Sequence, residues 1–485
     1  MGPRSRGAPL LTAHGRTTVA GPAHDTDFDV LILGAGSGGY ACALRAAQLG
    51  LHVALVEKDR LGGTCLHVGC IPTKALLHAA EVADTARESE RFGVLASFEG
   101  IDMAGVNSYK DGVVARLFKG LTGLVGSRGV TVIEGEGRLT GPHEVTVDGT
   151  AHTARHVVLA SGSTPRSLPG LEVDGERVLT SEHALRLERV PASVVVLGGG
   201  VIGSEFASVW RSFGAEVTVV EALPRLVAAE DEACSKVLER AFRKRGITVR
   251  TSTRFASVSR TEKGVAVTVD TAKGEQEVVE AELLLVAVGR GPVTEGLGYD
   301  EQGVAMERGF VTTDERCRTS VPGVWAVGDI VPGLQLAHRG FAQGIFVAEE
   351  IAGLEPAPID ETGIPRVTYS HPEVASVGLD EKAAVAAYGA DAVQSLTYDL
   401  GGNGKSQILQ TQGFVKLVRR VDGPVVGVHL VGDRVGELIG EAQLIYNWEG
   451  HAEDVAPLLH AHPTQNEALG EAHMALAGKP LHAHS

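Results

Sequence analysis

The sequence has no long hydrophobic run. Its longest apolar stretches, residues 194–197 and 283–288, are short and end at glycine. A membrane-spanning helix needs about 20 consecutive apolar residues. These runs are instead typical of strands buried in a parallel sheet, and the sequence gives no reason to expect a membrane protein.

Positive charge is also scarce. Lysine and arginine total 44 against 60 aspartates and glutamates, which leaves a net charge of -16. Proteins that bind nucleic acid or anionic lipid carry basic surfaces. Neither is therefore expected as a partner.

Only five cysteines occur in 485 residues, too few for a disulfide framework. This favours a reducing compartment, where paired cysteines are catalytic or bind metal.

Residues 1–26 contain arginines but no acid before Asp25, and we expect them to be a disordered extension. The cytoplasm is the expected location, with an organelle transit peptide as the alternative.

Two segments of the chain look like copies of one unit, at an offset of 164 residues. In residues 29–59 an apolar run meets Gly34, Gly36 and Gly39, followed by an alanine-rich helical stretch, a second apolar run and an acid, Glu57. In residues 193–223 the same order leads from the glycines to Glu221. Each copy predicts a strand, a glycine turn, a helix, a strand and an acid, which is the dinucleotide-binding βαβ unit.

The residue types fit that chemistry. Glycine lets the backbone approach a pyrophosphate at the start of a helix, and the acid accepts hydrogen bonds from ribose hydroxyls. Two such units predict one tightly held flavin dinucleotide and one exchangeable nicotinamide dinucleotide. Glu221 would repel a 2′-phosphate, so NAD is favoured over NADP. Arg225 is the nearby cation, and we interpret it as a solvated loop charge.

The remaining segments complete an α/β protein with about three domains. Alternating polarity predicts antiparallel strands in residues 131–148 and 265–279, and residues 324–327 predict another buried strand. Beyond about Leu354 the pattern indicates a separate α+β domain, with strands at 414–418 and 425–430 and helices at 435–446 and 452–459.

A cysteine pair follows the first unit directly. In a regular helix the spacing of Cys65 and Cys70 would hold their Cα atoms about 8 to 9 Å apart, too far for a disulfide. Gly69 permits a distortion, and Pro72 predicts a helix that begins at Cys70. A helix start lowers the pKa of a thiol, so Cys70 is the expected thiolate and Cys65 the outer thiol. A structural disulfide and half of a zinc site are the alternatives; zinc would need further ligands, and only His67 and His78 are near.

Thiol chemistry also needs a base. His462 is followed by Glu467, a carboxylate that could orient the imidazole. The C-terminal tail contains many other histidines, so a surface or adventitious metal-binding role is equally compatible with the spacing.

Taken together, the cysteine stretch, the two glycine turns and the His-Pro-Thr-x-x-Glu tail resemble those of the pyridine nucleotide-disulfide oxidoreductases, and most closely those of the dihydrolipoamide dehydrogenases, over roughly residues 27–480. The resemblance implies an FAD domain (27–151 and 282–353), an NAD domain (152–281) and a dimerisation domain (354–485). It implies that Cys65 exchanges with the substrate, that Cys70 contacts the flavin, and that His462, held by Glu467, serves the cysteines of a second subunit.

The resemblance also assigns cofactor contacts. Lys74, paired with Glu205, would lie beside the reactive flavin nitrogen. The other flavin contacts implied are Gly34, Gly36, Gly39, Glu57, Lys58, Gly63, Thr64, Gly137, Ser161, Gly162, Ser163, Asp329, Leu336, Ala337 and His338. The NAD contacts implied are Gly198, Gly200, Val201, Ile202, Gly203, Glu221, Gly289 and Arg290. No metal is implied. The chain departs from the family pattern at His67, Ser161 and Gln343.

The implied reaction is the oxidation of protein-bound dihydrolipoamide through a Cys65–Cys70 disulfide and FAD to NAD. The implied partners are a second copy of the chain, the lipoyl-bearing acyltransferase of 2-oxoacid dehydrogenase complexes and the lipoyl protein of glycine cleavage. A glutathione- or mycothione-type reductase and a non-catalytic dinucleotide-binding subunit are the alternatives. Glu221 disfavours the first, and the cysteines with His462 disfavour the second.

Overall fold

A computed structural model describes residues 26–482. The predicted N-terminal extension therefore lies, except for Thr26, outside the described residues. Two parts of the chain are built on largely parallel sheets and the third on an antiparallel sheet, which confirms the predicted α/β class with a C-terminal α+β domain. Within residues 26–482, no helix combines the length and apolar character needed to cross a membrane.

The first sheet carries the first glycine turn. The strand Phe28–Leu33 lies between two parallel neighbours, and its residues Val30 and Leu31 pack into hydrophobic cores on opposite faces. Burial on both faces explains the continuous apolar run. The strands are Phe28–Leu33, Val53–Glu57, Thr131–Glu134, Gly137–Gly141, Glu144–Val147, Thr150–Leu159 and Val324–Ala326, and the helices of this part are Ser37–Gln48, Gly63–His67, Cys70–Arg87, Met103–Ser127 and Ala337–Ile351.

One prediction for this sheet was wrong. Thr131–Glu134 was expected to be antiparallel, but it pairs in parallel with Val53–Glu57. It is an exposed edge strand, so polar Thr131 and Glu134 flank its two apolar residues, whereas its one neighbour, Val53–Glu57, is buried and apolar up to its last residue. The other two strands of that stretch are antiparallel, as expected.

The second sheet repeats the arrangement around the second glycine turn. Its five parallel strands stand in the order Thr248–Arg250, Glu216–Val220, Ser193–Leu197, Leu283–Val286 and Val178–Leu179. The helices here are Ser181–Ala184, Val201–Phe213 and Glu232–Lys244, and an antiparallel sheet adds Arg254–Arg260, Val265–Asp270 and Gln276–Ala281. Two short antiparallel pairs complete the region, Ser163–Pro165 with Arg290–Pro292 and Met306–Glu307 with Phe310–Val311.

Strand pairing locates the crossings between the two sheets. Thr150–Leu159 pairs with Phe28–Leu33, so the chain leaves the first sheet after Leu159 and not at residue 151. Leu283–Val286 pairs with Ser193–Leu197, so the return follows Val286 and not residue 281. Each boundary proposed from the sequence would separate strand residues from the sheet that they complete.

The C-terminal part is an antiparallel sheet with helices. The strands stand in the order Arg366–Thr368, Glu373–Gly378, Val425–Gly432, Phe414–Arg420 and Val393–Asp399. The helices are Glu381–Tyr388, Gly404–Leu409, Val435–Asn447, Ala452–Val455 and Glu467–Leu476. The helix expected at 452–459 ends at Val455, because Pro457 lacks the backbone N–H that a longer helix requires.

Candidate active site

The two central cysteines lie on consecutive helices with a break between them. Cys65 belongs to the helix Gly63–His67, and Cys70 is the first residue of Cys70–Arg87, as the sequence predicts. Gly69 makes the break possible, since a Cβ there would lie 2.9 Å from the carbonyl oxygen of Thr64. Both cysteines are free thiols in this structure, and their side chains are within hydrogen-bonding reach of each other.

The two thiols differ in acidity. Their mutual hydrogen bond is the largest cause: it raises the pKa of Cys65 and lowers the pKa of Cys70 to about 7. Burial opposes ionisation of Cys70, while the Lys74 ammonium and the backbone N–H of Cys70 favour it. The helix start invoked from the sequence therefore contributes less than the Cys65 thiol. The reduced pair holds its proton on Cys65 and its charge on Cys70.

A buried ion pair stands one helical turn beyond Cys70. Lys74 Nζ donates to both carboxylate oxygens of Glu205 at 2.9 Å, and the side chains are 33% and 3% exposed. Burial disfavours the charged lysine, but the attraction of Glu205 outweighs it and raises the pKa of Lys74. The backbone N–H of Tyr369 donates a third bond to the same carboxylate at 3.0 Å. No sequence pattern had drawn attention to Tyr369.

The two glycine turns have the same close packing. A Cβ at Gly39 would lie 1.8 Å from the carbonyl oxygen of Gly34, and a Cβ at Gly203 would lie 1.9 Å from that of Gly198. Only glycine fits at either position. In both copies the helix that follows begins without a side-chain cap, and a Cβ at Gly36 or Gly200 would meet no atom within 4 Å. Uncapped N–H groups facing open space fit a dinucleotide pyrophosphate.

The acid of each unit folds back onto its own turn. Glu57 accepts the backbone N–H of Ala35 at 2.9 Å, and Glu221 accepts that of Gly199 at 2.6 Å. A second backbone N–H binds the other oxygen of each carboxylate. These bonds orient both carboxylates beside the turn, where ribose hydroxyls would lie.

Residues from distant parts of the chain converge beside the first turn. Ser163 donates to Asp329 at 2.5 Å, and Arg290 donates to Ser163 Oγ at 2.8 Å and to Thr64 Oγ1 at 3.4 Å. Arg290 was expected among the NAD contacts, yet here it touches two residues of the flavin set. Its neighbour Gly289 follows the second sheet, so Arg290 lies between the two regions.

Most other predicted contacts lie at the carboxyl ends of parallel strands, the edge where ligands bind in such sheets. In the first sheet these are Gly34, Gly36, Gly39, Glu57, Lys58, Ser161, Gly162 and Ser163, and in the second Gly198, Gly200, Val201, Ile202, Gly203, Glu221 and Gly289. Gly137 packs against side chains of the first sheet. Leu336, Ala337 and His338 begin the helix Ala337–Ile351, where His338 binds the carbonyl of Pro365.

The three departures from the family pattern bind backbone groups. His67 and Ser161 interact with carbonyls at 2.8 and 2.6 Å, and Gln343 accepts a backbone N–H at 2.8 Å. His67 also lines a cavity of about 600 Å³. Its Nδ1 is buried and has no hydrogen-bond partner among the described residues.

The candidate base stands apart from the cysteines within one chain. His462 Nδ1 lies 2.9 Å from Glu467 Oε1, and the other carboxylate oxygen accepts the backbone N–H of Thr464 at 2.8 Å. Burial opposes ionisation of Glu467, but these bonds outweigh it and lower its pKa. The His462 side chain is 78% exposed, and over residues 26–482 no hydrogen bond links it to Cys65 or Cys70. Over the same residues no cluster of three metal-ligating side chains is found.

Known proteins share this arrangement. Residues 28–344 match the family described as pyridine nucleotide-disulphide oxidoreductase, and residues 364–473 match its dimerisation domain. A dihydrolipoyl dehydrogenase of Bacillus subtilis is 41% identical over 473 residues, covering 94% of this chain and 99% of the relative. That of Chlorobaculum tepidum is 43% identical over 451 residues, covering 92% and 96%. The crystal structure of LpdA from Mycobacterium tuberculosis gives a TM-score of 0.85 at 29% identity, covering 92% of this chain and 99% of that chain.

Proposed function

The chain belongs to the pyridine nucleotide-disulphide oxidoreductase family, and we propose that it oxidises protein-bound dihydrolipoamide to lipoamide and reduces NAD. It is an oxidoreductase with FAD and NAD as cofactors, and its curated relatives bear the name dihydrolipoyl dehydrogenase. The observation that carries the proposal is the unequal thiol pair, in which Cys65 retains a proton and Cys70 ionises near neutral pH.

The thiol steps balance on these two residues. A substrate thiolate attacks Cys65 Sγ of the oxidised pair; the Cys65–Cys70 bond breaks and its electron pair stays on Cys70. The second substrate thiolate then attacks the substrate sulfur of the mixed disulfide, which closes lipoamide and releases Cys65. Of the two substrate protons, one remains on Cys65 and one is accepted by a base. The reaction leaves Cys65 protonated and Cys70 ionised, which are the protonation states that this structure favours.

The base in this proposal is His462 of the partner subunit. The match to a dimerisation domain supports a homodimer. Glu467 holds the imidazole through Nδ1, so Nε2 is free to take and return the substrate proton. The exposure of His462 is consistent with an imidazole that acts on a second chain.

The residues present fit both cofactors. FAD would lie against the first glycine turn, Glu57 and Asp329, with Lys74 near its reactive ring. When bound, FAD takes the electron pair from the reduced thiols and passes it to NAD as a hydride. NAD would lie against the second turn, with Glu221 near its ribose. Arg225, expected to be a solvated charge, donates to the carbonyl of Ala228 at 2.9 Å, so it is engaged by backbone and not poised for a 2′-phosphate.

The expected partners follow from the substrate. A lipoyl-bearing acyltransferase of 2-oxoacid dehydrogenase complexes would present the dithiol, as would the lipoyl protein of glycine cleavage. We place this activity in the cytoplasm.

An anaerobic titration tests the function. Dihydrolipoamide is added to the purified holoenzyme while the visible spectrum is recorded, and NAD follows. We expect a long-wavelength band from Cys70 and the flavin, then formation of NADH, and loss of both in Cys70→Ser. A flavin that NADH reduces but dihydrolipoamide does not would reject this substrate and point to another disulfide, such as that of glutathione or mycothiol. Unchanged activity in Cys70→Ser would reject the thiol mechanism.

A further inference from the structure

A residue of the C-terminal domain contacts both members of the Lys74–Glu205 pair. Tyr369 follows the strand Arg366–Thr368 and donates its backbone N–H to Glu205 Oε1 at 3.0 Å. Lys74 Nζ lies 4.8 Å from the centre of the Tyr369 ring. A cation at this distance from an aromatic face is attracted by the ring. The ion pair formed by the first two domains is thus completed by the third.

The position of Tyr369 is fixed by its neighbours. The backbone N–H of His371 donates to Ser208 Oγ at 3.0 Å. Glu205 and Ser208 are one turn apart on the helix Val201–Phe213, so two alternate N–H groups of this segment bind one face of that helix. Because the backbone is held on both sides of Ser370, the Cα of Tyr369 is fixed beside the ion pair.

The lysine links this contact to the redox pair. Lys74 lies four residues after Cys70 on the helix Cys70–Arg87, so their side chains share one face. Its ammonium directs two of its three N–H bonds to Glu205. The side chain is nevertheless 33% exposed, so it has room to swing toward water. Attraction to the Tyr369 ring, 4.8 Å away, opposes that movement.

We propose that Tyr369 is a positioning residue that holds the Lys74 ammonium beside Cys70, so that the C-terminal domain contributes to the electrostatics of the thiol pair. The inference rests on the proposed roles of Cys70 and Lys74. It deepens that proposal by assigning part of the thiol chemistry to the domain that also carries His462.

The acidity of Cys70 is the property that should respond. The Cys65 thiol is the largest cause of the low Cys70 pKa, and the Lys74 ammonium adds to it. If the ring is lost, the ammonium spends less time near Cys70 and the thiolate becomes less stable. A cation–π contact of ordinary strength corresponds to roughly a two- to five-fold smaller thiolate fraction near pH 7.

The test measures the ionisation of Cys70 directly. In the holoenzyme carrying Cys65→Ser, the rate of Cys70 alkylation by iodoacetamide is followed against pH by mass spectrometry. Tyr369→Leu should shift the profile to higher pH and slow alkylation near pH 7 roughly two- to five-fold. Tyr369→Phe keeps the ring and should follow the parent. Tyr388→Leu is the matched control, because Tyr388 makes a similar contact with Arg420 at 5.2 Å on the surface.

A second series of variants tests the proposal if Tyr369→Leu does not fold. Phenylalanine analogues with increasing fluorination, placed at position 369, keep the ring shape but weaken its attraction for a cation. The pH profile of Cys70 alkylation should shift to higher pH with each added fluorine. A flat response, or equal profiles for Tyr369→Leu and Tyr369→Phe, would overturn the proposal. These measurements use no dihydrolipoamide, so they can fail while the proposed substrate stands, and the substrate can fail while they succeed.

Discussion

Replacing Lys74 by methionine should destabilise the protein because it leaves a charge buried without its partner. Glu205 is 3% exposed and accepts three hydrogen bonds, two from Lys74 and one from Tyr369. Lys74→Met removes the two charge-assisted bonds and leaves the Glu205 carboxylate with the backbone N–H of Tyr369. Removing one partner of a buried pair costs about 3 to 5 kcal/mol. Since Lys74 is one-third exposed, we expect a value near the lower end.

A double-mutant cycle with Glu205→Gln separates the effect of the buried charge from that of packing. Glu205→Gln leaves a lysine that still reaches water, so the free energy of unfolding should fall by only about 1 kcal/mol. Lys74→Met with Glu205→Gln removes both charges and should also remain within about 1 kcal/mol of the parent. The coupling between the two sites is then about 3 kcal/mol. Lys236→Met is the matched control, because Lys236 and Glu232 form a pair that is 70% and 63% exposed. It should cause no measurable change.

The assay is denaturant unfolding of the holoenzyme in excess FAD, followed by circular dichroism. Unfolding of several domains need not be two-state, so the shifts of the midpoint among the variants are compared within one series. The reasoning predicts that Lys74→Met has the lowest midpoint and that the double variant recovers most of the loss. A double variant as unstable as Lys74→Met would show that packing, and not the buried charge, causes the effect.

Three further predictions concern acidity, pH and cofactor choice. Cys65→Ala should raise the pKa of Cys70 above its value of about 7, whereas Cys65→Ser keeps a hydrogen-bond donor and should not; equal thiolate absorbance profiles for both would contradict this. Burial raises the pKa of Glu373 from 4.5 to about 7, so the folded state binds the proton more tightly and stability falls as pH rises through that range. Glu373→Gln should abolish about 3 kcal/mol of that fall, so the apparent Tm of this variant should decrease less steeply with pH than that of the parent. An unchanged dependence of Tm on pH would refute the assignment. Glu221→Ala should weaken NAD binding about ten-fold while FAD content stays constant, and unchanged affinity by calorimetry would place the ribose elsewhere.

Local signals in the sequence were sufficient for much of the architecture. The two glycine turns were predicted because a turn of this kind depends on residues within one βαβ unit. The helix start at Cys70 was predicted for the same reason, from Gly69 and Pro72 next to it. The resemblance then supplied roles for residues whose local sequence carries no signal, such as Lys74.

Contacts between distant segments were not accessible in this way. Glu205 lies 131 residues from Lys74, so the bond between them was expected only from the resemblance, and the third donor, Tyr369, was not expected at all. Arg290 follows a strand of the second sheet, but its side chain reaches the flavin set of the first. Such contacts depend on how whole units dock, which the period of a hydrophobic pattern does not specify.

The two glycine turns share one geometry, and a later segment of the chain covers each of them. A Cβ at Gly63, at the start of the helix that carries Cys65, would lie 2.7 Å from the Cα of Gly36, so the cysteine segment closes over the first turn. The second turn is covered in the same way, because the backbone N–H of Val227 donates to the carbonyl of Gly199 at 2.8 Å, as that of Gly62 does to Ala35 at 2.9 Å in the first copy. A covered site slows release of a dinucleotide, because the segment above it must move first. Because both copies have this cover, it does not by itself make one cofactor resident and the other exchangeable. What sets the first copy apart is that its cover leads into the helix that carries Cys65, which places the redox thiols beside the first turn.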